Sequence, residues 1–134
     1  MPALCSYDYA VIRVVPRVER EEFVNVGVIL SCPTHDFLEA RIALDPQRLR
    51  ALDAGLDVEA LENHLRSFPV ICRGGPAAHA IGRLTQRERF HWLVAPRSTV
   101  IQTSAVHSGS SMDPAAALEH LVRTMVHPAM APSR

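Results

Sequence analysis

Apolar and polar residues alternate through the first third of the chain, and further on the apolar positions recur at helical spacing, so the pattern predicts strands first and helices afterwards. The run YDYAVIRVV, residues 7–15, is β-branched and aromatic and is apolar on both faces except at Arg13. It reads as a strand covered on both sides that stops at Pro16, which cannot sustain a central ladder. A second strand is expected over Phe23–Cys32, with Val24, Val26, Val28 and Leu30 facing the core. Strict alternation then gives Phe23, Asn25, Gly27, Ile29 and Ser31 the opposite face. After the turn CPTHD, a third strand over Phe37–Leu44 carries Leu38, Ala40, Ile42 and Leu44 inward and completes an antiparallel hairpin.

The period then changes. Asp45 followed by Pro46 is an N-cap with proline at the first helical position, and Leu49 and Leu52 share one face of a short helix ending near Gly55. A helix from Asp57 has Val58, Leu61, Leu65 and Phe68 in one stripe until Pro69 intervenes. RGGP at 73–76 is a loop, and TQRE at 85–88 is a capping box opening either a helix or, over FHWLV, a strand. Ser98–Val106 supplies a fourth β-branched run, HSGSSM reads as a flexible link, and Asp113 with Pro114 starts a last helix bearing Leu118, Leu121, Val122 and Met125. The expected fold class is α+β, an antiparallel sheet of three to four strands with helices packed on one face, in a single domain over 1–134 with a disordered tail from about residue 129.

At 134 residues the chain is long enough to bury about two thirds of its unfolded surface. Its apolar runs fall short of the roughly 20 residues a membrane span requires, and MPALCSYDY lacks the basic start and apolar middle of a secretory signal. The expected compartment is the cytoplasm, with no membrane partner. Fourteen basic residues balance fourteen acidic ones, so no net field holds a polyanion. Every basic residue is Arg and none is Lys, which fits a GC-rich bacterial genome. Nucleic-acid binding through Arg17, Arg20, Arg48 and Arg50 is accordingly the least favoured reading.

Cys5, Cys32 and Cys72 are odd in number and far apart, which suits neither a disulfide framework nor a paired-cysteine zinc site, and buried free thiols are expected. The seven His show no one-turn metal-binding pair, so no metal and no cofactor is assigned. The remaining candidate is the second strand. Gly27 leaves a gap on a β face, Asn25 beside it offers a donor and an acceptor, Glu22 precedes it, and Arg13 reaches the same space if the first two strands are neighbours. The competing reading makes Gly27 a bulge and pairs Glu22 with Arg13 in solvent.

YDYAVIRVVPRVEREEFVNVGVIL resembles the opening of the bacterial family called domain of unknown function 3037 (DUF3037), through Tyr7, Tyr9, Pro16, Glu22, Phe23, Asn25 and Gly27. ALDPQRLRAL and APRSTVIQTS extend the likeness, and residues 69–84 depart from it. The resemblance implies no reaction. It does imply a HipA-like kinase as a genomic neighbour, and hence an accessory or antitoxin-like subunit.

The first expectation is therefore a non-catalytic interaction module whose partner surface includes Arg13, Glu22, Phe23, Asn25, Gly27 and Arg97. The second is a small enzyme or sensor for an anionic or nucleotide-like ligand, built around Glu22, Asn25, Arg13 and Arg97, with Arg clamping the anion and Glu22 as base. Oligomeric state is left open, a homo-oligomer included.

Overall fold

The fold was described from a computed structural model over residues 4–97 and 99–128. The tail from residue 129 lies outside the described residues.

The β-branched opening run forms strand β1 (Cys5–Val14), and the two strands of the expected hairpin are β2 (Val24–Cys32) and β3 (Phe37–Ile42). Three Asp residues start helices as their spacing predicts. Asp45 accepts from the amides of Gln47 and Arg48 and opens α1 (Pro46–Leu52), and Asp57 accepts from Ala60 and opens α2 (Val58–Leu65). Asp113 caps α5 (Pro114–Leu121) in the same manner. In each case a side-chain oxygen satisfies amides that have no partner inside the helix.

Pro69 does not end the helical path. It falls in the first turn of α3 (Ser67–Arg73), where a missing N–H costs no intrahelical bond, so Phe68 belongs to that helix rather than to α2. The TQRE capping box is complete, with both reciprocal bonds between Thr85 and Glu88, and it opens α4 (Gln86–Leu93) rather than a strand.

The sheet has five strands among the described residues, one more than the upper expectation, in the order β3-β2-β1 with β4 (Ile101–Thr103) and β5 (His107–Ser111) sharing the far edge of β1. The additional strand is the run expected to be flexible. HSGSS has poor β-propensity, but it pairs with Cys5–Tyr9 of β1 in antiparallel register, and Gly109 lies opposite Tyr7. A Cβ at Gly109 would come within 2.5 Å of the Tyr7 ring, so the aromatic ring covers the strand's weakest residue. All observed pairings are antiparallel, as an α+β fold requires.

Helices cover both sheet faces, not one. On the first face Ile12, Val14, Val24, Val26 and Ile29 pack with residues of α1 to α4, among them Leu49, Leu65, Phe68 and Phe90. On the second, Cys5, Val28, Leu30 and Cys32 pack with α5 (Pro114–Leu121) and the π-helical turn Val122–Val126 that continues it. The apolar residues on both faces of β1 and β2 anticipate this double cover.

Val24 and Val26 lie in one core while Val28 and Leu30 lie in the other, which strict alternation forbids. The cause is a bulge. Ile12 pairs with Gly27 but the next β1 residue, Arg13, pairs with Asn25, leaving Val26 as an extra residue on β2. Beyond it every β2 side chain changes face, so Asn25 joins the α5 side and Gly27 stays with Ile29 on the other.

Candidate functional site

The bulge decides which of the expected site residues meet. Arg13 and Asn25 become cross-strand partners on the α5 side, and Gln102 of β4 flanks Arg13 on its other edge. The Arg13 guanidinium lies 4.0 Å from the centroid of the Phe23 ring, a cation–π stack. Together with Val15, Val18, Glu21 and Gln102 these two residues line a bay of about 410 Å³. Phe23 and Val18 remain 46% and 43% exposed, so the rim of the bay is apolar and accessible.

Arg13 is chemically unusual here. Among the described residues no carboxylate forms an ion pair with it, and its Nε is buried without a hydrogen-bond partner. Desolvation pulls its pKa below the ordinary value, but a guanidinium stays protonated, so the bay holds a cation in no ion pair among the described residues, with the Glu21 carboxylate on the same lining.

The other expected members are elsewhere or otherwise occupied. Glu22 pairs with the neighbouring Arg20 rather than with Arg13, and Glu21, whose backbone is left-handed, lines the bay in its place. Asn25 donates through Nδ2 to the carbonyl of Met125 at 3.0 Å, closing the end of the π turn, while Arg48 donates to the next carbonyl, that of Val126, at 2.8 Å. That is a C-terminal cap supplied by side chains, and it explains an Asn inside a strand.

Gly27 is buried with no open gap above it. A Cβ there would lie 2.7 Å from the Arg41 carbonyl, 2.9 Å from Ile42 Cδ1 and 3.2 Å from Ile12 Cδ1, so the space is filled by a neighbouring strand and two core side chains. Arg97 is held at the C-terminal end of α4, donating to the carbonyls of Leu93 and Trp92 and stacked 4.6 Å from the Trp92 ring. It does not line the bay.

Two further constellations escaped sequence reasoning. Arg87 on α4 reaches down to the sheet, donating to Asp8 Oδ2 at 2.6 Å and Ser31 Oγ at 3.2 Å, while Ser108 donates to Asp8 Oδ1 at 2.8 Å. The Arg87 hydrogen bond is the main cause holding the Asp8 carboxyl below its usual range. At the other end of β1, Cys5 and Cys32 bring their sulfurs within 2.8 Å. All three cysteines are free and buried, as expected, but this proximity arises only from strand register. A Cys-x-x-His spacing, Cys32 to His35, was the one local signal available.

The arrangement defines an α+β protein with a five-stranded antiparallel sheet and a cationic, aromatic bay at one end of its central strand. The chain belongs to the family described as proteins of unknown function (DUF3037), whose model matches residues 9–126. No curated protein and no solved structure matches it. Among the described residues no helix is long and apolar enough to cross a membrane.

Proposed function

We propose that this protein is a non-catalytic interaction module and that the Arg13–Phe23 bay receives an acidic segment, carrying an apolar anchor, from a protein partner. The observation that carries this reading is the Arg13 cation, engaged in no ion pair among the described residues, stacked on an exposed aromatic ring. A carboxylate entering the bay would pair with the Arg13 guanidinium, and an apolar side chain would cover Phe23 and Val18. Aromatic and Arg residues at the centre of a concave patch are the usual energetic anchors of protein interfaces. The HipA-like kinase implied by the family resemblance is the first partner to test, and a role as its antitoxin-like accessory subunit follows from that pairing.

Titration calorimetry with the purified kinase checks the proposal. Micromolar or tighter binding is expected, weakened about 30-fold or more by Arg13→Glu and by Phe23→Ala, each removing roughly 2 kcal/mol. Phe23 is exposed and Arg13 half-buried, so circular dichroism checks that both variants are folded before their affinities are compared. No complex at micromolar concentration, or a complex indifferent to both variants, overturns it.

The unpaired guanidinium also favours a second reading, a small anionic or nucleotide-like ligand in the same bay. Such a ligand, bound only by the folded state, raises the melting temperature with the logarithm of its concentration above Kd, and a screen of nucleotides and phosphorylated metabolites distinguishes the two. Glu22 pairs with Arg20 and does not line the bay, so this reading rests on Arg13 alone among the expected clamp and base residues.

A further inference from the structure

The chemistry left unused by the bay lies at the opposite end of β1, in the second core's rim. Cys5 opens β1, Cys32 closes β2, and antiparallel register sets the start of one strand against the end of the other. Both side chains fall on the α5 side of the sheet. The helical turn Pro33–His35 that follows folds the chain back, and the ligand atoms of Cys5, Cys32 and His35 all lie within 4.8 Å of one another. The turn is fixed at its far side, where Gln86 of α4 donates to the Asp36 carbonyl at 3.1 Å.

We propose that Cys5, Cys32 and His35 form a binding site for one zinc-class divalent cation, with the fourth coordination position open to solvent. Two thiolates and one imidazole are the donor set that such borderline-soft cations select. Tetrahedral bonds of about 2.3 Å to sulfur and 2.0 Å to nitrogen separate the donors by roughly 3.5–3.8 Å. The three ligand atoms already approach that spacing, and the two sulfurs, 2.8 Å apart, need to open by about 1 Å, which side-chain rotation of the thiols supplies.

The surroundings suit a metal-bound thiolate as well as the ligand count does. The Thr34 hydroxyl lies 3.6 Å from the Cys32 sulfur, placed to donate to it. Donors aimed at a ligating sulfur orient and stabilise it, the usual office of groups behind a metal ligand. His35 is exposed, so the ion has an entry path and the open position faces water. Cys72, by contrast, lies in the other core with its pKa pushed up to about 12 by burial, and serves as an internal control.

Binding replaces two thiol protons with the cation: two S–H bonds break, two metal–sulfur bonds form, and two protons pass to solvent. No electron moves. The test uses the full chain, reduced and stripped of metal, titrated with zinc against a chromophoric chelator and with cobalt as a spectroscopic probe. One ion per chain is expected, with thiolate-to-cobalt charge transfer and the intense visible bands of four-coordinate cobalt, and with affinity rising with pH as the thiols ionise. Cys5→Ser and Cys32→Ser should abolish the charge transfer, and Cys72→Ala should leave it intact. His35→Ala is the decisive variant, because an exposed turn residue can be removed without unfolding the sheet. It should retain the sulfur signature but weaken zinc by more than about 100-fold, beyond the loss typical of an outer-sphere change. Absence of uptake by the reduced protein, or unchanged affinity in His35→Ala, overturns the assignment. So does a Cys5–Cys32 disulfide on isolation that, once reduced, takes up no zinc.

Discussion

Gly27→Ala should destabilise the protein although it replaces glycine inside a strand, where alanine is ordinarily favoured. The backbone at Gly27 is not left-handed, so the requirement is for space alone. Gly27 sits between Ile12 of β1 and Ile42 of β3 in the ladder, and the new methyl would meet both of their Cδ1 atoms at 3.2 and 2.9 Å. The isoleucine ends can turn aside, though within a full core. The Arg41 carbonyl, 2.7 Å away, is backbone in the β2–β3 hairpin and moves only if the strands separate.

Overpacking of this kind costs about 1–3 kcal/mol, offset by about 0.5–1 kcal/mol from the glycine's lost freedom in the unfolded chain. The net expectation is a loss of about 1–2 kcal/mol. At roughly 2.1 cal/mol/K per residue, a chain of 134 residues loses about 3.5 °C of Tm for each kcal/mol, so the variant should melt roughly 4–7 °C lower. Urea unfolding should show a lower midpoint with an unchanged slope, the mark of altered stability rather than an altered unfolded state. A Tm equal to or above that of the parent would refute the reasoning, since it would mean that β2 and β3 do not approach as described.

Thr85→Ala removes half of the capping box on α4 and should cost about 1 kcal/mol, or about 3–4 °C in Tm by thermal unfolding. Asn25→Ala frees the Met125 carbonyl at the end of the π turn and should cost about 1 kcal/mol, with faster amide exchange confined to residues 122–127 as its signature. Asp8 governs part of the acid limb. Its folded pKa lies below the ordinary 3.8, so the Arg87 pairing stabilises the fold above that value and the contribution disappears as pH falls through the depressed one. Asp8→Asn should therefore flatten the stability profile below about pH 4. The gain lost at neutral pH is about 1 kcal/mol or less, because the Arg87 side chain is 42% exposed and solvent screens the pair. Equal acid limbs for parent and variant in urea unfolding would contradict this assignment.

Local signals carried most of the fold. Three Asp-initiated helices and the Thr85 capping box were legible because each depends on residues within one turn of each other. The β1–β2–β3 meander was legible from its apolar alternation. What escaped is non-local. β5 consists of residues with little strand preference and exists because β1 has a free edge and Tyr7 covers Gly109. A bulge was legible as the competing reading of Gly27 and falls at Val26 beside it, but its consequence was not: it exchanges the faces of Asn25 and Gly27 and so rearranges the candidate site. Arg13 stacks on Phe23 and pairs with Asn25 across the strands, but the Asn25 amide is spent on the π turn, and Gly27, Glu22 and Arg97 lie elsewhere: core packing, an ion pair and a helix end claimed them. The Cys5–Cys32 approach depends on strand register over 27 positions, which spacing rules do not reach.

The two sides of the sheet differ in how completely they are covered, and that difference explains where unused chemistry collects. The first face is roofed by α1 to α4 together. The second has only α5, with eight residues, and the five-residue π turn. At about 1.5 Å per residue those thirteen positions extend roughly 20 Å. β1, with ten residues, extends roughly 33 Å at about 3.3 Å each. Even laid parallel to the strand, the helix leaves more than 10 Å of that face uncovered. Odd-numbered β1 side chains point to it, beginning at Cys5 and ending at Arg13. The middle of the row, Tyr7 and Tyr9, packs against α5, while Cys5 lies at one rim and Arg13 opens into the bay at the other. A residue whose side chain is neither roofed by helix nor fully hydrated must find a partner of its own. For Arg13 that partner is the Phe23 ring, with the Glu21 carboxylate on the lining of the same bay.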